Sequence, residues 1–268
     1  MKTYFRLLGP LQVDVLGVDR TPSAQKLRTV LALLTMAPNA VLAADAIVEE
    51  LWGGRPPASA RNTLQSYIVH LRHGLESDDS VRIETKSYGY KLVVDPRIVD
   101  VTEFREHIAG ALHARVRAEP DRARERLVAA LDLWHGRPLV NVPLGPMLQA
   151  SYSYLNELWL SAVERRIAID VELGRHHDVL GELTLLVRQH PLNENLTAQL
   201  MLALYRSGRR YASLEAYHTL RTALAEEIGL DTCPALQRMH HAVLTCDPVL
   251  DRGSDTLGSQ LAIDRISA

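Results

Sequence analysis

The sequence predicts a mainly α-helical protein with a small amount of β structure, arranged as two domains and a tail. Residues 1–96 combine short β-rich segments with helical patterns, whereas residues 97–246 are almost wholly helical in pattern. A length of 268 residues is comfortable for two domains. Residues 247–268 show no sustained hydrophobic period and contain several breakers, so we expect a disordered tail there.

The first predicted element is a small antiparallel β-meander, because the β-rich stretch 4–20 is broken by Gly9 and Pro10. A helix follows the meander. Ser23 is in position to act as its N-cap, and the helical pattern ends near Pro38. Four apolar residues, spaced as on one face of a helix, form its predicted buried stripe: Leu27, Val30, Leu31 and Leu34.

Residues 59–75, which we call the recognition helix, organise the rest of the first domain. Their apolar residues recur at intervals of four, three and four, which on an α-helix places them on one buried face. The opposite face is rich in groups that hydrogen-bond base edges or phosphates. A solvated surface helix is the alternative interpretation of this face. The stripe is Leu64, Ile68, Leu71 and Leu75, and the candidate DNA contacts are Arg61, Asn62, Gln65, Ser66, Val69, His70, Arg72 and His73.

The segments on both sides of the recognition helix predict a winged helix-turn-helix. A shorter helical pattern, residues 43–52, precedes it across a turn rich in glycine and proline. Two β-rich runs follow it and flank a hairpin signal in which Gly89 is available for positive φ. The hairpin tip, with Lys86 and Tyr88, would reach phosphates beside the groove that the helix occupies. Two more candidates for phosphate contact are Lys26 and Arg28 in the first turn of the preceding helix. Ordinary solvated surface charges are the alternative interpretation of these two residues.

The charge balance permits DNA binding without demonstrating it. Residues 1–96 hold eleven Lys and Arg against ten Asp and Glu, a net charge of +1, and the remainder holds nineteen against twenty-two, or −3. Local clustering, rather than net charge, sets the interaction with phosphate. Basic and acidic residues are interspersed in and after the recognition helix. The basic ones are Arg61, Arg72, Arg82, Lys86 and Lys91, and the acidic ones are Glu76, Asp78 and Asp79.

The second domain contains an internal repeat. Residues 173–175 (Leu-Gly-Arg) match residues 207–209 (Ser-Gly-Arg) at an offset of thirty-four, the period of tetratricopeptide helix pairs. Gly136 marks a looser third copy, and chance agreement of a few apolar positions is the alternative. Such repeats offer a surface to a partner and need no chemistry of their own. The expected helices are 101–112, 122–134, 152–173, 177–190, 195–207, 210–228 and 234–246.

The motif search gives no support for an enzyme, a metal protein or a membrane protein. Nucleotide-binding, nucleophile and zinc-peptidase motifs are missing from the sequence. The eleven histidines have no cysteine partners at ligand spacing. Apolar runs stay well below the roughly 18 residues of a membrane helix, and the N-terminus lacks the apolar core of a secretory signal. We therefore expect no catalytic residues, no cofactor and no metal, in a cytoplasmic, nucleoid-associated protein.

Four segments together resemble the Streptomyces antibiotic regulatory protein family, the SARP activators. They are FRLLGPLQV at 5–13, SARNTLQSYIVHLR at 59–72, YGYKL at 88–92, and residues 198–239, which include LYRSGR, EAY and EIGLD. The resemblance extends over about residues 4–244. It implies a winged helix of the response-regulator output type joined to a tetratricopeptide-like bacterial transcriptional activation domain, as in the small two-domain members.

The resemblance also implies a function. Such activators bind direct repeats near the −35 region of promoters for antibiotic biosynthesis clusters and recruit RNA polymerase, so we expect promoter DNA, the polymerase with its sigma factor and a second copy as partners. His70 and His73 stand where the family pattern leads us to expect arginine or lysine. A promoter-occluding repressor and a tetratricopeptide scaffold are the alternatives. The implied polymerase contacts, besides the helical domain, lie in the turn before the recognition helix: Gly54, Arg55, Pro56 and Pro57.

Overall fold

The computed structural model describes residues 3–251. These residues form two compact units. Unit 1 contains the chain up to Gly110 together with residues 128–160, and unit 2 contains residues 111–127 and the described chain from Ser161 onward. Within the described chain, we find no helix with the length and apolar character required to span a membrane.

The first part of the chain contains the predicted meander and the predicted helix-turn-helix and hairpin. The three meander strands pair antiparallel in the order β1-β2-β3, and the second sheet has the order β4-β6-β5. The bounds are β1 (Tyr4–Arg6), β2 (Gln12–Val15), β3 (Val18–Asp19), α1 (Gln25–Met36), β4 (Leu42–Ala43), α2 (Ala44–Trp52), α3 (Ala60–Leu75), β5 (Arg82–Lys86) and β6 (Gly89–Val93).

The remainder of the described chain is helical apart from its connections, as the sequence predicts. The long helix α6 begins six residues earlier than the expected start at residue 152. Short 3₁₀ turns lie at Pro96–Ile98 and Pro248–Asp251. The helices are α4 (Asp100–Val116), α5 (Pro120–Asp132), α6 (Pro146–Glu172), α7 (His176–Gln189), α8 (Glu194–Arg206), α9 (Arg210–Ile228) and α10 (Pro234–Thr245).

The predicted N-cap of α1 is wrong by one residue. Ala24 occupies the N-cap position in an extended conformation and makes no side-chain capping bond. Instead, Arg28 reaches back from the first turn, and its Nη1 donates to the carbonyl oxygens of Pro22 (3.1 Å) and Ser23 (2.7 Å). The side chain of Arg28 therefore fixes the backbone of the residues just before α1.

Unit 1 extends beyond the predicted domain boundary at residue 96, because later residues bind the first strand and the segment after it. The buried carboxylate of Asp100 accepts hydrogen bonds from the backbone N–H groups of Leu7 (2.7 Å) and Leu8 (2.8 Å). Burial raises the pKa of Asp100 to about 6, whereas these donors act in the opposite direction. Asn141 binds the backbone of Leu11 through both its side-chain oxygen (2.7 Å) and its side-chain nitrogen (3.1 Å).

A buried glutamate of α2 caps the N-terminus of α6. Glu50, whose exposed fraction is 7%, accepts hydrogen bonds from the backbone N–H groups of Met147 (2.7 Å) and Leu148 (3.0 Å). A carboxylate at this position is stabilised by the unpaired N–H groups and positive end of the helix. A Cβ on Gly145 would lie 2.6 Å from the carboxyl carbon of Glu50, so only glycine fits there. The start of α6 is thus fixed against the helix-turn-helix.

Two helices of unit 2 end in the same way, at the positions that the repeat predicts. Gly174 and Gly208 both adopt positive φ, 78° and 73°, which favours glycine. The arginine after each glycine then donates its N–H to a carbonyl at the end of the preceding helix: Arg175 to Asp170 (2.8 Å) and Arg209 to Leu204 (2.9 Å). The partners of the two bonds are again thirty-four residues apart, so the repeat is present in the structure.

The looser third copy at Gly136 is wrong. The matching helix end is that of α4, where Ala118 has positive φ (56°) and Glu119 donates its N–H to the carbonyl of Ala114 (3.0 Å). Because the residue at this helix end is alanine rather than glycine, the sequence does not indicate the positive φ there. Gly136 instead lies in the connection between α5 and α6.

The predicted tail starts too early. Residues 248–251 form a 3₁₀ turn, and Leu250 is fully buried in the core that α8, α9 and α10 share. Arg206 fixes this turn because its Nε donates to the carbonyl of Leu250 (2.9 Å). A single buried leucine among turn residues has no period for sequence analysis to detect. Residues 252–268 of the predicted tail lie outside the described residues.

Candidate nucleic-acid interface

The recognition helix is α3, and its inward orientation is confirmed. All four residues of the predicted stripe are between 1% and 4% exposed, and α3 packs against α1 and α2. Each such aliphatic side chain contributes about 1.5–3 kcal/mol through burial. Rotation of the helix would expose all four together, so the stripe determines which side chains point outward.

The outward face of α3 carries hydrogen-bonding groups around one apolar residue. Val69 is 50% exposed, although valine prefers burial, and it could meet the methyl group of thymine. Ser66 donates its hydroxyl to the backbone carbonyl of Asn62, one turn earlier (3.2 Å), and the Asn62 residue is exposed. The exposed members of the predicted set on this face are Arg61, Asn62, Gln65, Ser66, Val69, His70 and His73.

Arg72 differs from the other candidates because its guanidinium joins the recognition helix to the hairpin. Its Nε donates to the carbonyl of Ile83 (2.9 Å), and its Nη2 donates to the hydroxyl of Thr85 (2.8 Å). Both partners lie on β5. Arg72 is half-buried, and its main observed role is to position the wing, which we define as residues 82–93, relative to α3.

The wing tip is fastened to the start of α2. The Tyr88 carbonyl accepts a hydrogen bond from the backbone N–H of Ala44 (2.9 Å), while the Tyr88 side chain is exposed. Gly89 does not adopt the expected positive φ. It is required for close approach, since a Cβ there would lie 1.8 Å from the carbonyl oxygen of Leu42 in the short strand β4. The two-residue strand β4 was not predicted from the sequence, so the close approach that requires a glycine at position 89 could not be predicted either.

Two side chains of α3, Arg61 and His73, have carboxylate partners. Arg61 pairs with Asp45 of α2 at 2.7 Å, and both side chains are highly exposed. His73 Nδ1 lies 3.1 Å from the carboxylate of Glu76. Exposed pairs of this kind are weak, so a phosphate could replace either carboxylate. Asp45 was missed in the sequence because a separation of sixteen residues across a turn follows no helical spacing.

The wing has one carboxylate between two cations. Glu84 Oε1 lies 3.0 Å from Arg82 Nε, and Glu84 Oε2 lies 2.9 Å from Lys86 Nζ. Hydrogen bonds from Lys86 and Arg82 lower the pKa of Glu84, so the carboxylate is ionised at neutral pH. The sequence signal was the alternation Arg-x-Glu-x-Lys, which on a strand places all three side chains on one face.

The two basic residues in the first turn of α1 are already engaged. Lys26 Nζ lies over the ring of Trp52, 4.3 Å from its centroid. Arg28 Nε donates to the carbonyl of Asn141 (2.8 Å), in addition to its Nη1 bonds described above. A phosphate would therefore have to compete with existing partners at both positions.

The turn before α3 is an exposed loop. Gly53 ends α2 with a positive φ of 62°, and its N–H donates to the carbonyl of Glu49 (2.7 Å). Pro57 accepts a hydrogen bond from the N–H of Ala60 (2.9 Å), which leads the chain into α3. The four predicted polymerase contacts all have exposed side chains or backbone: Gly54, Arg55, Pro56 and Pro57.

Two sequence families match the chain. The family described as "Transcriptional regulatory protein, C terminal" matches residues 20–92, and "Bacterial transcriptional activator domain" matches residues 99–244. The regulatory protein DnrI of Streptomyces peucetius is 41% identical over 92% of this chain and 93% of its own length. The chain belongs to the SARP family. It is therefore a DNA-binding transcriptional regulator, and the family is not one of enzymes.

Other relatives of this SARP regulator are longer. The regulatory protein AfsR of Streptomyces coelicolor is 34% identical over 92% of this chain, which spans 24% of AfsR. A solved structure of Mycobacterium tuberculosis EmbR in complex with a low-affinity phosphopeptide superposes with a TM-score of 0.88 at 28% identity. The alignment covers 97% of this chain and 69% of EmbR. The predicted fold class, mainly helical with a winged helix-turn-helix and a helical activator domain, is confirmed.

Between Thr3 and Asp251, there is no group of three or more His, Cys, Asp and Glu side chains that could hold a metal ion. Cys233 and Cys246 are both free.

Proposed function

We propose that this SARP regulator is a sequence-specific activator in which α3 enters the major groove while the wing lies on the adjacent phosphates. The observation that carries the proposal is the orientation of α3. Its aliphatic stripe is buried, and its opposite face presents amides, a hydroxyl and an exposed valine. Amide groups pair bidentately with adenine, and valine fits the thymine methyl, so this face suits direct readout of bases.

We assign different roles to the proposed contact residues. Asn62 and Gln65 contact base edges, because both amide side chains are exposed, Asn62 opposite the buried stripe and Gln65 beside it. Arg61, Lys86 and Tyr88 contact the phosphate backbone and fix the register. Three basic side chains already contact other residues of the protein, so each contributes to phosphate binding only if it releases its present partner or binds both at once. They are Lys26, Arg28 and Arg72. The remaining contacts of the outward face, which we consider adaptable, are Ser66, Val69, His70 and His73.

The proposed activity goes beyond DNA binding. The regulator binds direct repeats near the −35 region as two adjacent copies and recruits RNA polymerase to promoters of a secondary-metabolite cluster. The match to a family described as an activator domain supports recruitment. The exposed turn of residues 54–57, next to α3, would lie beside the promoter and is the proposed contact with the sigma factor. This activity would place the protein with the nucleoid in the cytoplasm.

We further propose that residues 1–96 bind DNA and residues 97–246 carry the activator function. The two family matches support this functional division, since one ends at residue 92 and the other begins at residue 99. The compact units follow different limits, because residues 97–110 and 128–160 are part of unit 1. We therefore expect the DNA-binding domain to need those later residues for its stability.

Footprinting and transcription with purified components test the proposed function. Footprinting on the chromosomal region next to the gene should reveal two or more direct repeats. Transcription from that promoter with purified polymerase should then be stimulated by the full chain. Inhibition would instead indicate a promoter-occluding repressor, and the absence of both a footprint and an effect would favour a scaffold.

A further inference from the structure

We propose that Glu84 is an internal competitor for DNA phosphate, which binds the two cations of β5 in the free protein and thereby limits affinity for DNA of any sequence. The inference rests on the proposed function, because it requires the wing to lie against the phosphate backbone. Glu84 itself would not contact DNA, but its charge would determine how strongly the wing attracts DNA.

The first argument is the geometry of the strand. Arg82, Glu84 and Lys86 alternate along β5, and the intervening Ile83 is buried, so the three charged side chains share the outward face. The two oxygens of Glu84 are divided between the two cations, at 3.0 Å and 2.9 Å. The Glu84 side chain is 28% exposed.

The second argument is the surrounding charge. Across the hairpin, the residue opposite Glu84 is Lys91 of β6. One carboxylate therefore lies in a patch that is otherwise basic, and it reduces the net charge of Arg82, Glu84 and Lys86 to +1. On α3, Arg61 likewise has a carboxylate partner, Asp45, although that pair contains a single cation. Removal of one such carboxylate should expose a full additional positive charge.

The third argument is the source of non-specific affinity. Binding to random DNA arises from the release of counterions when cations replace them at phosphates. A cation that is already paired with a carboxylate must exchange that carboxylate for a phosphate. Its contribution to the free energy of binding from counterion release is therefore smaller. The protein would then depend more on its base contacts and remain for shorter times on random DNA.

The test compares full-length Glu84→Gln with the wild type by fluorescence anisotropy on a scrambled duplex at several salt concentrations. We expect the variant to bind roughly three- to tenfold more tightly near physiological salt and its salt dependence to steepen by about one ion. Glutamine keeps the shape and removes the charge. Thermal unfolding should show that the variant remains folded.

Asp79→Asn is the matched control, because it removes the same charge from an exposed residue in the loop at the base of the hairpin. Its affinity and salt dependence should stay close to those of the wild type. If Glu84→Gln and Asp79→Asn tighten binding equally, net charge alone explains the gain and the inference is wrong. If neither variant changes the affinity, the inference is also wrong. Weaker binding by Glu84→Gln would also overturn it, since Glu84 would then be a positioning residue for Lys86.

Lys86→Ala distinguishes this inference from the proposed function. If Lys86→Ala weakens DNA binding while Glu84→Gln fails to strengthen it, the wing contacts DNA and only the role of Glu84 falls. If Lys86→Ala has no effect on any DNA, the wing does not contact phosphate, and both the wing assignment and the inference fall. The double variant Glu84→Gln/Lys86→Ala should lose most of the gain that Glu84→Gln provides.

Discussion

The recognition helix and the wing differ in the chemistry that they offer to DNA. The outward face of α3 has amides, a hydroxyl and a valine, and the side chains of Arg61 and His73 have carboxylate partners. The wing has cations around a single shared carboxylate and an exposed tyrosine at its tip. We therefore expect base discrimination to be concentrated in the helix and phosphate attraction in the wing. Variants in the two elements should therefore produce different kinds of defect.

The largest expected effect comes from the buried side of the helix. Ile68→Ala should lower the free energy of unfolding by about 2–5 kcal/mol, because it leaves a cavity in the core that orients α3. Urea denaturation measures this loss. The neighbouring Val69→Ala truncates a half-exposed residue and should change stability by only about 0.5 kcal/mol. A similar loss for both variants would mean that α3 is rotated relative to the structure.

A substitution at the wing should also reduce stability, through backbone contact. Gly89→Ala should lower the free energy of unfolding by about 1–3 kcal/mol, because its Cβ would collide with the Leu42 carbonyl and disturb the pairing of β4 with β6. The comparison is Gly74→Ala inside α3, where the added Cβ meets open space. That change should be neutral or stabilising by up to about 1 kcal/mol in the same denaturation experiment.

The amides of α3 should determine base preference. Asn62→Ala or Gln65→Ala should weaken binding to the cognate site by roughly 1–3 kcal/mol and relax the preference at one base pair. Titration of duplexes that differ at single positions measures both quantities. Ser77→Ala, at an exposed residue just after α3, should leave affinity and preference unchanged. An equal loss on cognate and scrambled DNA would mean that these amides do not contact bases.

The wing cation should give the smallest and least selective effect. Lys86→Ala should weaken binding to every sequence and flatten the salt dependence by about one ion or less, because Glu84 already compensates part of its charge. Affinity at several salt concentrations on cognate and scrambled duplexes is the required measurement. Arg20→Ala removes an exposed cation after the meander and should not alter the slope. A change in base preference for Lys86→Ala would contradict the division between helix and wing.

Local spacing predicted the parts of this fold that depend on one segment alone. The stripe of α3 follows a period close to 3.6 residues, and it is buried as expected. The hairpin was predicted from β-rich runs, and two helix ends were predicted from glycines at positive φ, Gly174 and Gly208. In each case the physical cause lies within a few residues of its effect.

The features that sequence analysis missed depend on distant residues. Glu50 caps a helix that begins ninety-six residues later, and Asp100 binds the backbone of Leu7 and Leu8. Arg72 was expected to contact DNA, yet its guanidinium also holds the wing, because the hairpin folds back beside the last turns of α3. No local pattern contains these pairings. The bonds of Glu50 and Asp100 explain why unit 1 includes residues beyond the predicted boundary at residue 96.

Methylation interference on the footprinted repeats tests the central claim most directly, because it reports which groove α3 enters. Dimethyl sulfate modifies guanine N7, which lies in the major groove, and adenine N3, which lies in the minor groove. If the amide face of α3 enters the major groove, N7 methylation within each repeat should block binding of the wild-type chain. Interference confined to adenine N3, with N7 methylation tolerated throughout the repeats, would contradict the account.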